Sequence, residues 1–417
     1  MSTPFQKHTL ANGLRLIVHE DKNTPMATFH IAYNVGSRCE DPNHTGLAHL
    51  MEHYMFCGSI NVPNFDEPLQ KIGAINNAYT SQDLTCYYIT LPANNIETAF
   101  WLESDRMLSL AFEQESLDIQ KSVVIEEFKE VQLNKPYSDL WSLFNTIVYK
   151  KHPYQWQVIG KEIEHIAKTT LEDIRNFYHR FYIPNNAVIA IAGNVEFEQM
   201  VQLCEKWFGE IPANETPSHN FPKEDEQQEA RLLHVQRKAP NDMLVKGWKM
   251  CRRTDPLFYA CDLLSDLLGG GYSAYLNKVL VVDNKIFTDL NVYITASIDD
   301  GVLVCVGRPC AGISLTEANA KLSEILYNFH YSTEEFAFHL QKVKNRVESV
   351  ILTNEIKAED RAAMLASAEI IDSAEAFERD KERYFAVTEQ DILQAFQTYI
   401  TPKQECTLLY EALPHEE

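Results

Sequence analysis

His49 and His53 stand four residues apart in Thr45–Ser59 (TGLAHLMEHYMFCGS), with Glu52 between them. In a helix this spacing puts both imidazoles on one face, about one turn apart, at a separation that can close on a single metal ion. Glu52, one position before the second histidine, is displaced around the helix, so it can reach a water on the metal without ligating it. The order H-x-x-E-H is the inverse of the helical metal-binding pattern H-E-x-x-H and offers the same chemistry, a metal that activates water and a carboxylate that takes its proton. The plainer alternative is two partly exposed histidines salt-bridged to Glu52.

A catalytic zinc takes three protein ligands and keeps a fourth position open, so a third donor must come from elsewhere. The helical pattern Glu115–Val131 supplies candidates. At 100° per residue, Val123, Val124, Phe128 and Val131 define a buried stripe that includes Glu127, while Glu126 and Glu130 fall on its outer side. An ionised carboxylate on a buried face needs a partner, and a metal ion is the strongest available. The alternative is a carboxylate at the stripe's edge paired with Lys or Arg.

These residues need elements to hold them. Leu14–Val18 and Ala27–Val35 alternate as half-buried strands, whereas Gly46–Phe56 and Ile96–Leu110 carry helical periodicity, an α+β start. A polar, Pro-punctuated stretch, Ala213–Glu229, reads as a linker near the midpoint. Thr170, Asp173, Ile174 and Pro184 recur as Thr388, Asp391, Ile392 and Pro402, each 218 residues later. Both copies begin with a helix-start signature and end with a Pro that opens a strand, which predicts a duplicated domain. The expected division is 1–212, a linker at 213–229, and 230–417.

The 417 residues carry 37 basic and 59 acidic side chains, a net charge of −22 that argues against nucleic-acid binding. Nine cysteines show no paired spacing and are expected to be reduced. No apolar run approaches the length of a membrane span, so a cytoplasmic location without a membrane partner is expected, periplasmic if a leader has been removed. Cys57 is expected to be a small core residue, the remaining histidines to lie at the surface, and Asp105-Arg106 to be solvated helix charges.

The HLMEH segment, followed 74 residues after His53 by Val-Ile-Glu-Glu127, resembles the pitrilysin/insulinase (inverzincin) zinc peptidases, and more closely their short processing-peptidase branch, over nearly the whole chain. Asn76–Tyr88 (NNAYTSQDLTCYY) is similar to the family segment that forms a substrate-holding edge strand. The resemblance implies one Zn2+ per chain held by His49, His53 and Glu127, with Glu52 as general base acting on peptides. It also implies Asn77, Ala78, Tyr79 and Thr80 as substrate-strand residues, and two similar α+β domains, each a sheet plus helices, forming a clamshell half. Members often have a Glu seven residues before the third ligand; here Gln120 stands there, which weakens that support to a neutral hydrogen bond.

The second half departs from the pattern. The 218-residue shift carries His49 onto Leu267 and His53 onto Gly271, so no second metal site is expected. Val281 and Thr288 fall where self-sufficient members carry an Arg and a Tyr that bind the substrate carbonyl. The pattern therefore resembles the zinc-bearing subunit of a heterodimeric processing peptidase whose partner supplies both donors. The alternatives are substitution by Tyr275 or Tyr293, a homodimer, or a non-catalytic core or peptide-holding subunit of the same fold.

Overall fold

The computed structural model describes residues 4–218 and 220–413, and its elements follow the hydrophobic periods of the sequence. The first sheet contains β1 (Gln6–Thr9), β2 (Arg15–Glu20), β3 (Met26–Tyr33), β4 (Ile75–Thr80), β5 (Thr85–Pro92) and β6 (Ala187–Gly193), in the order β1-β2-β6-β3-β5-β4. The second contains β7 (Arg231–Arg237), β8 (Met243–Lys249), β9 (Phe287–Ile294), β10 (Val302–Pro309) and β11 (Cys406–Ala412), in the order β7-β11-β8-β10-β9. With β1 set aside the two orders match strand for strand. Each sheet has one parallel pair, β2 with β6 and β7 with β11, at the same place.

The repeat seen in the sequence lies at matching points of the two sheets. Thr170 and Asp173 form a reciprocal capping box on helix Leu171–Phe181, and Thr388 and Asp391 form another on helix Glu389–Tyr399. In each copy a proline-led turn follows and delivers the chain into the strand that pairs parallel, β6 or β11. The chain thus folds as two similar α+β units.

The compact units differ from the contiguous division in two segments. One unit gathers the chain up to Glu130 with Trp156–Pro222 and Leu352–Glu378; the other gathers Val131–Gln155, Lys223–Ile351 and the chain from Arg379. Helix Leu140–Val148 packs on β7, β8 and β11, while helix Ala358–Ile371 packs on β2, β3 and β6. These helices begin 218 residues apart, so the repeat extends to them and each covers the sheet of the other half. Small residues admit them. A Cβ on Gly247 would lie 2.6 Å from the Phe144 ring, and helix Ala358–Ile371 buries Ala362, Leu365, Ala366 and Ala368.

β3 shows how the first sheet sorts its faces. Phe29, Ile31 and Tyr33 join the main core with Tyr87 and Ile89, and the alternate residues Thr28, His30 and Ala32 are buried on the other face. His30 is wholly buried, with neither ring nitrogen hydrogen-bonded, beside the Tyr79 and Tyr88 rings at 6.3 and 6.2 Å. This corrects the expectation of surface histidines; His19 and His152 are buried as well. Burial lowers the His30 pKa to about 3. The folded chain therefore stays neutral there while the unfolded chain takes up a proton below about pH 6.5, and stability falls as pH drops from that value towards 3. Between pH 7 and pH 5, His30→Phe is expected to lose about 2 kcal/mol less stability than the parent chain, measured by urea unfolding at both values.

Arg106 corrects a second expectation. It is 1% exposed, paired with the buried Glu103, and its guanidinium lies over Phe65 and Tyr87. Asp105, by contrast, turns outward to accept from Ser59 and Asn61. Adjacent charges on one helix thus take opposite environments, because positions one apart point about 100° away from each other.

Candidate metal centre

The helix that carries the histidines, α1, runs Leu47–Tyr54 and buries Leu47, Ala48, Leu50, Met51 and Tyr54. That apolar stripe fixes its rotation, leaving His49, Glu52 and His53 on the half-buried face. Its N-cap is Gly46, which has no side chain to satisfy the first N–H groups. Glu40 does this from a distance. Its carboxylate accepts from the N–H of Gly46 (3.0 Å), the N–H of Ala48 (2.8 Å) and the Trp156 indole (3.0 Å).

Glu40 is 7% exposed, so removing it would strand these donors away from water. Glu40→Ala is expected to cost about 2–4 kcal/mol in urea unfolding. The sequence held a weak signal for this role, a carboxylate upstream of a helix whose cap is glycine.

Helix Gln114–Phe128 brings the third side chain. Its buried stripe is Leu117, Val124 and Phe128; Val123 and Val131 are 46% and 39% exposed, so they do not belong to the stripe expected from sequence. Glu127 borders the stripe and reaches across to α1. Its Oε2 lies 3.7 Å from His49 Nε2 and 3.6 Å from His53 Nε2, and the two imidazole rings stand edge to face at 4.8 Å. Glu126 points away and pairs with Lys129 at 2.6 Å.

Among the described residues, His49, His53 and Glu127 form the one group of His, Cys, Asp or Glu close enough to hold a metal ion, with ligating atoms within 4.8 Å of one another. Burial next to His53 lowers His49 to about 4, and burial also lowers His53 although Glu127 and Gln120 act against it. Two neutral imidazoles and one carboxylate are the donor set that suits Zn2+. Gln120 stands beside both His53 and the Cys57 thiol, where it raises the pKa of the first and lowers that of the second, and Cys57 itself packs against the core.

Glu52 stands outside this trio. Burial raises its pKa, Thr80 pulls it back and the Glu127 charge raises it further. The Thr80 hydroxyl donates to Glu52 Oε2 at 2.5 Å. Thr80 ends β4, which lies at the sheet edge and pairs with β5 only. Along β4, Asn76, Ala78 and Thr80 are half-buried while Ile75, Asn77 and Tyr79 are exposed. The Asn77 side chain accepts from the Ala78 N–H, and both Asn77 and Tyr79 reach neighbours on the opposite face, Tyr88 and Ser367.

In the second sheet's unit, Leu267, 218 residues after His49, is buried in helix Phe258–Gly269. Val281 packs against the core, and Thr288 is exposed on β9, donating to the Arg308 carbonyl at 3.1 Å. Of the possible substitutes, the Tyr275 hydroxyl donates to Asn328, and Tyr293 is 38% exposed beside Trp141. The nine cysteines, all among the described residues, form no disulfide.

The fold is that of a peptidase family. Residues 15–161 match the insulinase (peptidase family M16) model and residues 168–337 match the peptidase M16 inactive domain. The chain belongs to the pitrilysin/insulinase family. It is 25% identical to the zinc protease PqqE of Helicobacter pylori over 409 residues, covering 96% of this chain and 91% of that protein. The crystal structure of a protease from Helicobacter pylori superposes with a TM-score of 0.89 at 25% identity, covering 98% of this chain and 100% of the other. The mitochondrial-processing peptidase subunit beta of Saccharomyces cerevisiae is 31% identical over 211 residues, 50% of this chain and 45% of its own length. Among the described residues no helix is long and apolar enough to cross a membrane.

Proposed function

We propose that this chain is a zinc-dependent endopeptidase acting on peptides or unfolded segments, with His49, His53 and Glu127 as the ligands of one Zn2+ and Glu52 as general base. The observation that carries this reading is the convergence of two imidazole nitrogens and a carboxylate within 4.8 Å, with a second carboxylate beside them that does not join the group. Zn2+ held there would polarise a scissile carbonyl and acidify a water. Glu52 takes the water's proton and hands it to the leaving amine, the general acid–base role for which its position next to the ligands suits it. Gln120, which stands beside His53, is placed to orient that ring through a neutral hydrogen bond once the metal is held.

An extended peptide added to the free edge of β4, along Asn77, Ala78, Tyr79 and Thr80, gains main-chain hydrogen bonds that do not depend on its side chains, which suits broad specificity. The metal chemistry belongs to the first unit, and among the described residues the second, similar unit has no group of His, Cys, Asp or Glu that could hold a metal. Val281 and Thr288 offer neither a cation nor a phenol to a substrate carbonyl. A heteromeric partner carrying an Arg and a Tyr completes the oxyanion site in this reading, and a homodimer relying on the metal alone is the second possibility.

The test is cleavage of a quenched unstructured peptide by the zinc-loaded chain, alone and with any subunit that co-purifies. Cleavage that needs the second subunit supports the divided site, and cleavage by the chain alone retires the partner requirement. Absence of cleavage in both arms retires the peptidase reading in favour of a peptide-holding or core subunit.

A further inference from the structure

Thr80 does something the edge strand does not require of it. A strand that holds peptide through its backbone needs no particular side chain at its end, yet the Thr80 hydroxyl is 2.5 Å from Glu52 Oε2. The hydroxyl has one hydrogen and two candidate acceptors, Glu52 and the Thr85 hydroxyl at 3.5 Å. The shorter distance and the carboxylate charge commit it to Glu52. Thr85 makes no competing demand, because its own hydrogen goes to the Val35 carbonyl at 2.9 Å and its side chain is fully buried.

The position of Thr80 is itself fixed. It pairs with Thr85 at the end of the β4–β5 hairpin, and the turn beyond is tied down where the N–H of Ser37 and the N–H of Arg38 donate to the carbonyls of Ser81 and Gln82. Gly36 permits that approach, since a Cβ there would lie 2.5 Å from the Ser81 oxygen. Among the described residues, Thr80 is the one protein group hydrogen-bonded to the Glu52 carboxylate, so one oxygen is held and the other is left for water. A glutamate side chain has three rotatable bonds, and this hydrogen bond selects one of its conformers.

We propose that Thr80 is the positioning residue of the general base, holding the Glu52 carboxylate in the orientation from which it takes a proton. The proposal rests on the peptidase reading above. It assigns the Thr80 side chain to the proton-transfer step, while the β4 backbone remains the element that meets substrate.

The test is steady-state kinetics on a quenched peptide with Thr80→Val and Thr80→Ser, each fully zinc-loaded in whatever assembly is active, together with Zn2+ titration of the same samples. Thr80→Val keeps the shape and a good strand former but removes the hydroxyl. It is expected to lower kcat roughly 10- to 100-fold with KM and zinc affinity little changed, and Thr80→Ser is expected to restore most of kcat. Thr80→Ala gives the same readout should Thr80→Val fail to fold. An unchanged kcat in the hydroxyl-free variants, a rise in KM alone, or a loss that disappears at saturating zinc each overturns the proposal. Failure of the underlying reading looks different: the parent chain does not cleave, or Glu52→Gln cleaves as well as the parent.

Discussion

Glu52→Gln is expected to reduce peptide cleavage by roughly 10²–10⁴-fold while leaving zinc binding intact. The amide has the shape of the carboxylate and its carbonyl oxygen can still accept from the Thr80 hydroxyl, so the local structure has no reason to move. What is lost is the capacity to take a proton. Glu52 is absent from the three-residue group whose ligating atoms converge, so metal affinity has no direct dependence on it. Activity at fixed zinc occupancy is the measurement. A variant that kept more than about a tenth of the parent's kcat would remove Glu52 from the base role, and one that lost its zinc would make Glu52 a ligand.

The second large effect separates adjacent glutamates. Glu127→Gln is expected to weaken Zn2+ binding by more than about 100-fold, because it removes the negative charge of the proposed third ligand and leaves only a neutral oxygen, a larger change than loss of a supporting hydrogen bond. Glu126→Gln is expected to bind zinc as the parent does, since its carboxylate is 73% exposed and engaged with Lys129. Competition against a chelating dye reads both. Retention of full affinity in Glu127→Gln, with loss in Glu126→Gln, would reverse the assignment.

The H-x-x-E-H triad was legible because i, i+4 spacing on a helix constrains two side chains whatever surrounds them, and α1 obeys it. Glu127 was legible for a partly mistaken reason. The expected stripe included Val123 and Val131, but Ile119, Val123 and Glu127 form their own i, i+4 row, on which Ile119 and Val123 are 54% and 46% exposed and Glu127 is partly exposed. Apolar residues on such a row mimic a core stripe in sequence. Beyond Phe128 the chain passes into a π-helical turn, Lys129–Leu133, which moves Val131 out of phase.

The duplicated fold was visible at its best-capped helix, where a Thr-x-x-Asp box and a following Pro repeat without change. The exchange of helices Leu140–Val148 and Ala358–Ile371 was not, since periodicity shows that a helix has an apolar face but not which sheet receives it. Arg106 and His30 were hidden for a related reason: a charged or titratable residue enters the core only through tertiary partners, Glu103 and aromatic rings in one case and two tyrosine rings in the other. Thr80 was picked out for the strand it lies on, and its hydroxyl's partner, 28 residues away, is set by how β4 lies against α1.

The central claim, that a metal held by His49, His53 and Glu127 is what makes this chain a peptidase, is tested most directly by stripping the active preparation with a chelator and titrating Zn2+ back while cleavage of a quenched unstructured peptide is followed. Activity that vanishes on stripping and returns in proportion to zinc, reaching its full value at one ion per chain, is the predicted result. Cleavage that survives complete removal of metal, or that stays absent with one zinc bound per chain and any co-purifying subunit present, would contradict it.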